Sequence, residues 1–593
     1  MSDYSWPNLA TMLFEQAEAL SSKPFLWEKR DGSYQPLSWG ETAEQIAALA
    51  KGLKDQGIEP GDRVALICEN RPMWLISDFA IMAIGAITVP AYITNTIDDY
   101  IHVLTDSGAK AAILSTQRLG ERLIPALDKA PDVKFLIALE DLDTAPQNAD
   151  LLKWDDVVQA NQGALREITN LARKWKIDET ACLIYTSGTG GKPIGVMLSH
   201  RSQFHNVAGA KDALNEIGLG DEVFLSFLPL SHSYEHVAGH FFPISIGAQI
   251  YYAEEIKSLS ANMLETRPTI MTAVPRLYET MHQRITSGVR RTGGIREKMF
   301  MSALDLGRKR YEGKALGFGD RLKDWLLDKL VRDKVRARFG GRLKALVSGG
   351  APLNPEIGIF FTALGLRLLQ GYGQTETAPV VSINRPSKVK MHTVGPPLLN
   401  TEVKIANDGE ILVRGDLTMQ GYWRNEQATQ ETLRDGWVYT GDVGHFDEDG
   451  YLVITDRKKD IIVNSGGNSI APQRIEGLLA MTPEIDQAMV YGDRRPNLVA
   501  LLVPNKKWMN EWAKENSKPT SLDQLADDTD LARALKPIVE TVNASLSNIE
   551  KVRNFIIAKE PFTIDNAQLT PTMKIRRHKI NEAYGQQLEW LYR

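Results

Sequence analysis

Cysteine is almost missing from this 593-residue chain: Cys68 and Cys182 are the only two. Two thiols build neither a disulfide framework nor a zinc site, and each lies in an apolar run, so both read as buried core thiols. A strong excess of either charge is also missing. The chain has 69 Lys and Arg against 74 Asp and Glu, a formal net charge of −5, which argues against a dedicated nucleic-acid binder. No apolar run approaches the roughly 18 uninterrupted residues of a membrane-spanning helix. The longest, MWLISDFAIMAIGAITVPAY, carries Asp78 inside it and reads as a buried helix running into a strand. The opening stretch, MSDYSWPNLATMLFEQAEAL, lacks the basic-then-apolar order of a signal peptide. The expectation is a soluble cytoplasmic protein, with peripheral contact on the inner face of a membrane left open.

What is present is an ordinary globular composition, 43% hydrophobic and 24% charged, in a chain long enough for about three to five structural units. The first half alternates helical and strand-like segments. WGETAEQIAALAKGLKDQG has helical spacing and a glycine stop, and DRVALICEN is strand-like. That alternation predicts α/β architecture with a mostly parallel, helix-covered sheet. From about Thr393 short strands and Gly/Asp turns predict a small β-rich unit. The expected division is a large N-terminal domain, 1–456, followed by a small mobile α+β domain, 457–593.

Residues 284–342 stand apart, with 17 Lys/Arg and 7 Asp/Glu in an acidic protein. Leu322, Trp325, Leu326, Leu330, Val335 and Phe339 recur there at near-helical spacing. Two readings stay open: a solvated helical insertion with its apolar stripe on the core, or attraction to anionic lipid headgroups.

YTSGTGGKPIGVMLSH, Tyr185 to His200, packs Ser187, Gly188, Thr189, Gly190 and Gly191 together with Lys192 behind. Backbone N–H groups of a glycine-rich turn form an anion-binding concavity. The hydroxyls of Thr186, Ser187 and Thr189 add donors and Lys192 adds charge, so a polyphosphate is the natural ligand; taken alone, the stretch reads equally as a plain surface turn. Pro193 follows the lysine, which excludes a Walker-type loop.

This stretch resembles the phosphate loop of the adenylate-forming superfamily of acyl-CoA synthetases, peptide-synthetase adenylation domains and firefly-type luciferases. The usual form is T-S-G-T-T-G-x-P-K-G. Here Gly190 replaces the second threonine of the pair and Ile194 the lysine before the last glycine, while Lys192 occupies the variable position. Further motifs follow in the family's order. GYGQTETAP resembles the adenine and magnesium segment. The resemblance implies that Tyr372 stacks on adenine, that Gly373 and Gln374 lie in the ATP site, that Thr375 contacts the α-phosphate and that Glu376 ligates Mg²⁺. GGAP resembles the turn flanking adenine and acyl group, with Gly350 on the nucleotide side and Gly349 and Ala351 on the acyl side. In YTGDVG, Asp442 matches the carboxylate that holds the ribose, and Arg457 of DRKKD matches its arginine. Lys459 falls at the hinge position, and Gly466 and Gly467 match the turn lining the CoA tunnel. Lys574 in LTPTMKIRRHKI matches the catalytic lysine, alongside Glu376 and Thr189 as the catalytic set.

The resemblance implies a fold of two domains that alternate about one hinge, with Mg²⁺ as cofactor and ATP and CoA as substrates. GDEVFLSFLPLSHSYEHVAGHFF, LVSGGAPLNPEI and MTAVPRLYE look like segments of long-chain fatty acyl-CoA synthetases, as does the basic insertion. His232 and His236 are then expected near the mouth of the acyl channel; each also reads as an ordinary half-buried histidine. The implied activity is that of an AMP-forming long- or medium-chain fatty acid:CoA ligase. The alternatives are activation of another acid for a carrier-protein thiol, and a non-catalytic ATP- or acyl-binding protein. Monomer and homodimer are both left open.

Overall fold

The computed structural model describes residues 4–186, 192–466, 468–570 and 574–593. The large domain carries two eight-stranded sheets. One runs, in spatial order, Val380–Ile383, Leu368–Gly373, Ala345–Ser348, Ile270–Ala273, Val223–Ser226, Gln249–Tyr252, Pro24–Arg30 and Ser33–Ser38. The other runs Gly421–Tyr422, Ile194–Ser199, Thr180–Thr186, Ile87–Pro90, Arg63–Ile67, Ala111–Leu114, Phe135–Ala138 and Asp150–Lys153. Both are parallel through the middle and antiparallel near one or both ends. The parallel strands are short and almost wholly apolar, ALVS, ITVP and AAIL among them, because helices cover both faces.

The long apolar run behaves as its Asp78 predicts. It forms the buried helix Pro72–Ala83 and then the strand Ile87–Pro90. Asp78 is fully buried and accepts from His236 Nε2 at 2.8 Å. Both cysteines are buried free thiols, and burial pushes the Cys68 thiol up to about 12.

A five-stranded sheet follows, built on Trp437–Phe446 with Glu410–Arg414 and Leu452–Arg457 beside it. The C-terminal α+β part has its own three-stranded sheet, Ile485–Tyr491, Leu498–Pro504 and Val552–Ile557. Its core joins Ile475 and Leu479, the strand residues Leu498, Ala500 and Leu502, and the helix residues Leu531 and Leu535. Every buried member of that core comes from Ile462 onward, so this part packs on itself.

The basic insertion is helical, and its apolar stripe splits in two. Phe318, Leu322, Trp325, Leu326 and Leu330 are exposed, whereas Phe339 is buried and Val335 partly so. At the about 100° per residue of an α-helix, Val335 and Phe339 lie on the side opposite Leu322, Trp325, Leu326 and Leu330, so the stripe runs over two faces. A stripe placed wholly on the core is therefore corrected for its first four residues.

Candidate active site

The strands of an open α/β sheet deliver ligand-binding residues at their C-terminal ends. Thr186 ends its strand, Ser348 hands over to Gly349 and Gly350, Leu368–Gly373 ends at the GYG turn, and His232 follows Val223–Ser226 in the same way. All of them line one cavity of about 2560 Å³, which the C-terminal part closes from the other side. Lys192, Ala351, Tyr372, Gln374, Thr375, Glu376, Asp442, Arg457, Lys459 and Lys574 line it too. The loop residues Ser187, Gly188, Thr189, Gly190 and Gly191, and Gly467, lie outside the described residues.

Two backbone features need glycine. Gly350 has φ +80°, in the left-handed region. A Cβ on Gly373 would lie 1.8 Å from the Pro379 carbonyl oxygen, so the chain crosses itself there.

A polar wall forms around Asp442. Asp442 and Arg457 are paired across adjacent antiparallel strands, and Arg457 Nε donates to Asp442 Oδ1 at 3.1 Å. Tyr372 Oη donates to Oδ2 at 2.7 Å. One carboxylate thus ties the GYG turn to the strand pair. Burial, followed by the Asp442 charge, raises the Tyr372 phenol well above its usual range, so it stays protonated and donates.

Glu376 is half-buried and is oriented by Tyr422, whose Oη donates to Oε1 at 2.8 Å. Tyr422 had no motif to mark it; the short strand Gly421–Tyr422 pairs with Ile194–Ser199 and brings it across. Thr375 and Ser233 hydroxyls lie 3.2 Å apart. Neither Ser233 nor Tyr422 is legible locally.

Lys574 reaches this wall from the C-terminal part. Its backbone N–H donates to Thr570 Oγ1 at 3.0 Å, while its side chain faces the cavity. Lys574 is exposed to the open cavity, yet the walls around it, then the Arg457 charge, pull its ammonium down to about 8 against the opposing pull of Asp442 and Glu376. Lys574, Arg457, Asp442 and Glu376 therefore share one electrostatic neighbourhood. His232 belongs to it as well: burial and then the Lys574 charge hold its imidazole down to about 3. Its Nδ1 accepts from Tyr234 N at 3.2 Å, which leaves the proton of the neutral ring on Nε2.

His236 does not join this group. It is fully buried, absent from the cavity lining, and bound to Asp78 between the rings of Trp74 and Phe241. A place at the channel mouth is corrected to a core position. Gly466 is exposed and likewise absent from the cavity lining.

Below the polar wall the cavity has an apolar arm. Leu214, Phe224, Phe242, Ile270, Val347 and Leu398 line it, and all six belong to one buried cluster. The Phe224 and Phe242 rings meet edge to face at 5.9 Å. Glu235 lies behind this region, fully buried, accepting from Ser226 at 2.7 Å and Thr272 at 2.6 Å, and burial pushes its carboxyl up to about 8.

A polar chamber that joins a cation, a carboxylate and a hydrogen-bonding wall to an apolar arm suits an anionic nucleotide beside an apolar acid. Comparison with known proteins agrees. The chain is 35% identical to the long-chain-fatty-acid–CoA ligase FadD15 of Mycobacterium tuberculosis over 99% of this chain and 97% of that protein. It is 32% identical to the peroxisomal long chain acyl-CoA synthetase 6 of Arabidopsis thaliana, covering 95% of this chain and 82% of that one. Among solved structures, the adenylation domain of a carboxylate reductase from Mycobacterium chelonae superposes with a TM-score of 0.76 at 22% identity, over 100% of this chain and 92% of that one. The AMP-binding enzyme model matches residues 13–423 and the model of the AMP-binding enzyme C-terminal domain matches 459–593. With both models matched in order, and full-length relatives above 30% identity, the chain belongs to the AMP-binding, adenylate-forming enzyme family.

Proposed function

We propose that this chain is an AMP-forming long-chain fatty acid:CoA ligase, divided at 456/457 into a large substrate domain and a mobile small one. The observation that carries it is the meeting of Lys574 with Glu376, Asp442, Arg457 and His232 at one cavity that continues into an apolar arm. The acyl chain lies in the arm and its carboxylate points to His232, whose Nε2–H donates to it. Asp442 accepts from the ribose hydroxyls, and Arg457 and Tyr372 hold that carboxylate in place. The Tyr372 ring stacks on adenine.

A carboxylate oxygen attacks the α-phosphorus of ATP; the bond to the β-phosphate oxygen breaks and pyrophosphate leaves. The Lys574 ammonium bridges carboxylate and α-phosphate as charge builds there. Thr186, Lys192 and the loop of 187–191 cradle the departing phosphates. The donor set fits magnesium that arrives on the nucleotide: no cluster of three or more Asp, Glu, His or Cys occurs among the described residues, while Glu376 offers one hard oxygen that Tyr422 orients. Bound there, Mg²⁺ would supply charge neutralisation for the phosphates.

In the second half-reaction the small domain turns about Lys459. Lys574 withdraws and the Gly466–Gly467 turn comes to the cavity, where it lines the path of the CoA thiol. The thiol sulfur attacks the acyl carbonyl and AMP leaves. Cytoplasmic location and contact of the basic insertion with an anionic membrane complete this reading.

The test is AMP release from Mg-ATP with fatty acids of increasing length, with CoA, with a carrier-protein thiol, or with neither. The expected result is CoA-dependent turnover with a long-chain optimum. Turnover only with a carrier protein, or none with any acid, would overturn the proposal.

A further inference from the structure

The exposed half of the split stripe has no partner within the chain. Phe318 is 89% exposed, Leu322 62% and Trp325 61%, with Leu326 and Leu330 following. These five lie on one side of Phe318–Leu327 and the π turn after it. The opposite side carries Asp324 and Leu327, which are buried, and Val331, which packs with Leu327 on Ala303 and Leu306. An outward face of this size is unusual for a soluble surface.

The charge around it has one sign. Residues 318–342 hold eight Lys or Arg and four Asp or Glu. Three of the four acids are engaged internally: Asp324 by Arg310 and Arg332, Asp328 by Arg332 and Arg336, and Asp333 by Arg336 and Lys329. Exposed Arg321, Lys323, Lys334, Arg338 and Arg342 have no carboxylate within ion-pair distance among the described residues. Apolar side chains in the middle and unneutralised cations at the border are the two halves of an interfacial helix. A second copy of the same face would set cation against cation. No helix among the described residues is long and apolar enough to cross a bilayer.

We propose that the Phe318–Leu330 face inserts into the headgroup layer of an anionic lipid surface, with Trp325 and Leu326 as its central anchors and Arg321 and Lys323 on the lipid phosphates. It rests on the membrane contact of the proposed function and places it on five side chains. The occupant is the bilayer surface, and this orientation holds the large domain against the layer in which long-chain acids partition.

Co-sedimentation of the full chain with phosphatidylcholine vesicles, with and without phosphatidylglycerol, tests this. The wild type should bind the anionic vesicles and be released by high salt. Trp325→Glu with Leu326→Glu should lower binding by about tenfold or more, since each loses the burial of a large apolar side chain. Arg321→Glu with Lys323→Glu should lower it by about tenfold on anionic vesicles alone. Trp325→Phe should retain binding. AMP release with a soluble short-chain acid should be equal in all variants, which shows that they fold and separates this result from failure of the ligase reading. Equal binding by the Trp325→Glu, Leu326→Glu variant would overturn the proposal. So would a wild type that ignores anionic vesicles, or one that is a dimer which this variant converts to monomers.

Discussion

Two walls of the same cavity are held in very different ways. On one side, functional side chains hold one another: Tyr372 grips Asp442 together with Arg457, which stands at the boundary and ends the strand Leu452–Arg457 of the five-stranded sheet, Tyr422 grips Glu376, and Ser233 meets Thr375. On the small-domain side, Lys574 is placed by its backbone bond to Thr570, and its ammonium feels repulsion from Arg457 and attraction from Asp442 and Glu376. Contacts across the two parts are both polar and apolar, and Met481 also packs on the large-domain cluster of Leu353, Ile357 and Met391. Arg276 binds Asp486 at 2.8 Å, and Asn354 Nδ2 reaches Met481 Sδ at 2.7 Å. In the proposed mechanism the first is a fixed wall and the second a removable one, which is what two reactions at a single site require.

The largest break in that comparison is loss of the removable group. Lys574→Ala should lower acyl-adenylate formation by about 10²- to 10³-fold, the usual effect of removing one charge-stabilising donor. Thiol transfer from supplied acyl-AMP should survive. Pyrophosphate exchange measures the first step and acyl-CoA formation the second; equal losses in both would refute a group that serves one half-reaction.

Titration makes the same distinction without mutation. The Lys574 ammonium is depressed to about 8, so the cation is full well below that pH and is lost as pH rises through it. Adenylation under kcat/KM conditions should fall about tenfold per pH unit above that point, as one deprotonation dictates. Thiol transfer from acyl-AMP should lack this limb. His232, neutral throughout because burial holds it down to about 3, should add no limb of its own.

The fixed wall should respond differently. Asp442→Asn keeps the shape but loses charge-assisted bonds, so KM for ATP should rise about tenfold. Both half-reactions should suffer, because in the proposed mechanism the nucleotide stays on this wall through each. An effect confined to adenylation would move Asp442 off the fixed wall.

Much of that wall was legible in the sequence because its residues sit in short motifs at strand ends: GYGQTE, GGAP, YTGD and DRKKD. Lys574 was legible only through the resemblance, since a lysine in a basic tail carries no local signal. Tyr422 and Ser233 escaped because their partners lie 46 and 142 residues away and only the tertiary fold joins them. His236 misled in the opposite sense. Its neighbours suggest a channel, yet the buried Asp78 that captures it is 158 residues away, hidden in an otherwise apolar run. The split of the basic stripe was open to a stricter reading, since at about 100° per residue Val335 and Phe339 already fall opposite Leu322, Trp325, Leu326 and Leu330.

The smallest expected effect tests how firmly the removable wall is held. Arg276 sits on the helix Pro275–Thr292 of the large domain, and Asp486 on the strand Ile485–Tyr491 of the small one. Arg276 makes two bonds to Asp486, one to the carboxylate and one to the backbone carbonyl at 3.1 Å, and both groups are about one-third exposed. A part-exposed ion pair is worth about 0–1 kcal/mol, so Arg276→Ala should change rates by no more than about fivefold. The signs should be opposite. The arrangement with Lys574 at the cavity loses its tie, so adenylation slows, while release of the small domain becomes easier and thiol transfer from acyl-AMP speeds up. High salt should mimic the substitution in the wild type and do little more in the variant. If both half-reactions slowed together, the pair would be supporting the fold of the helix rather than holding one domain arrangement against the other.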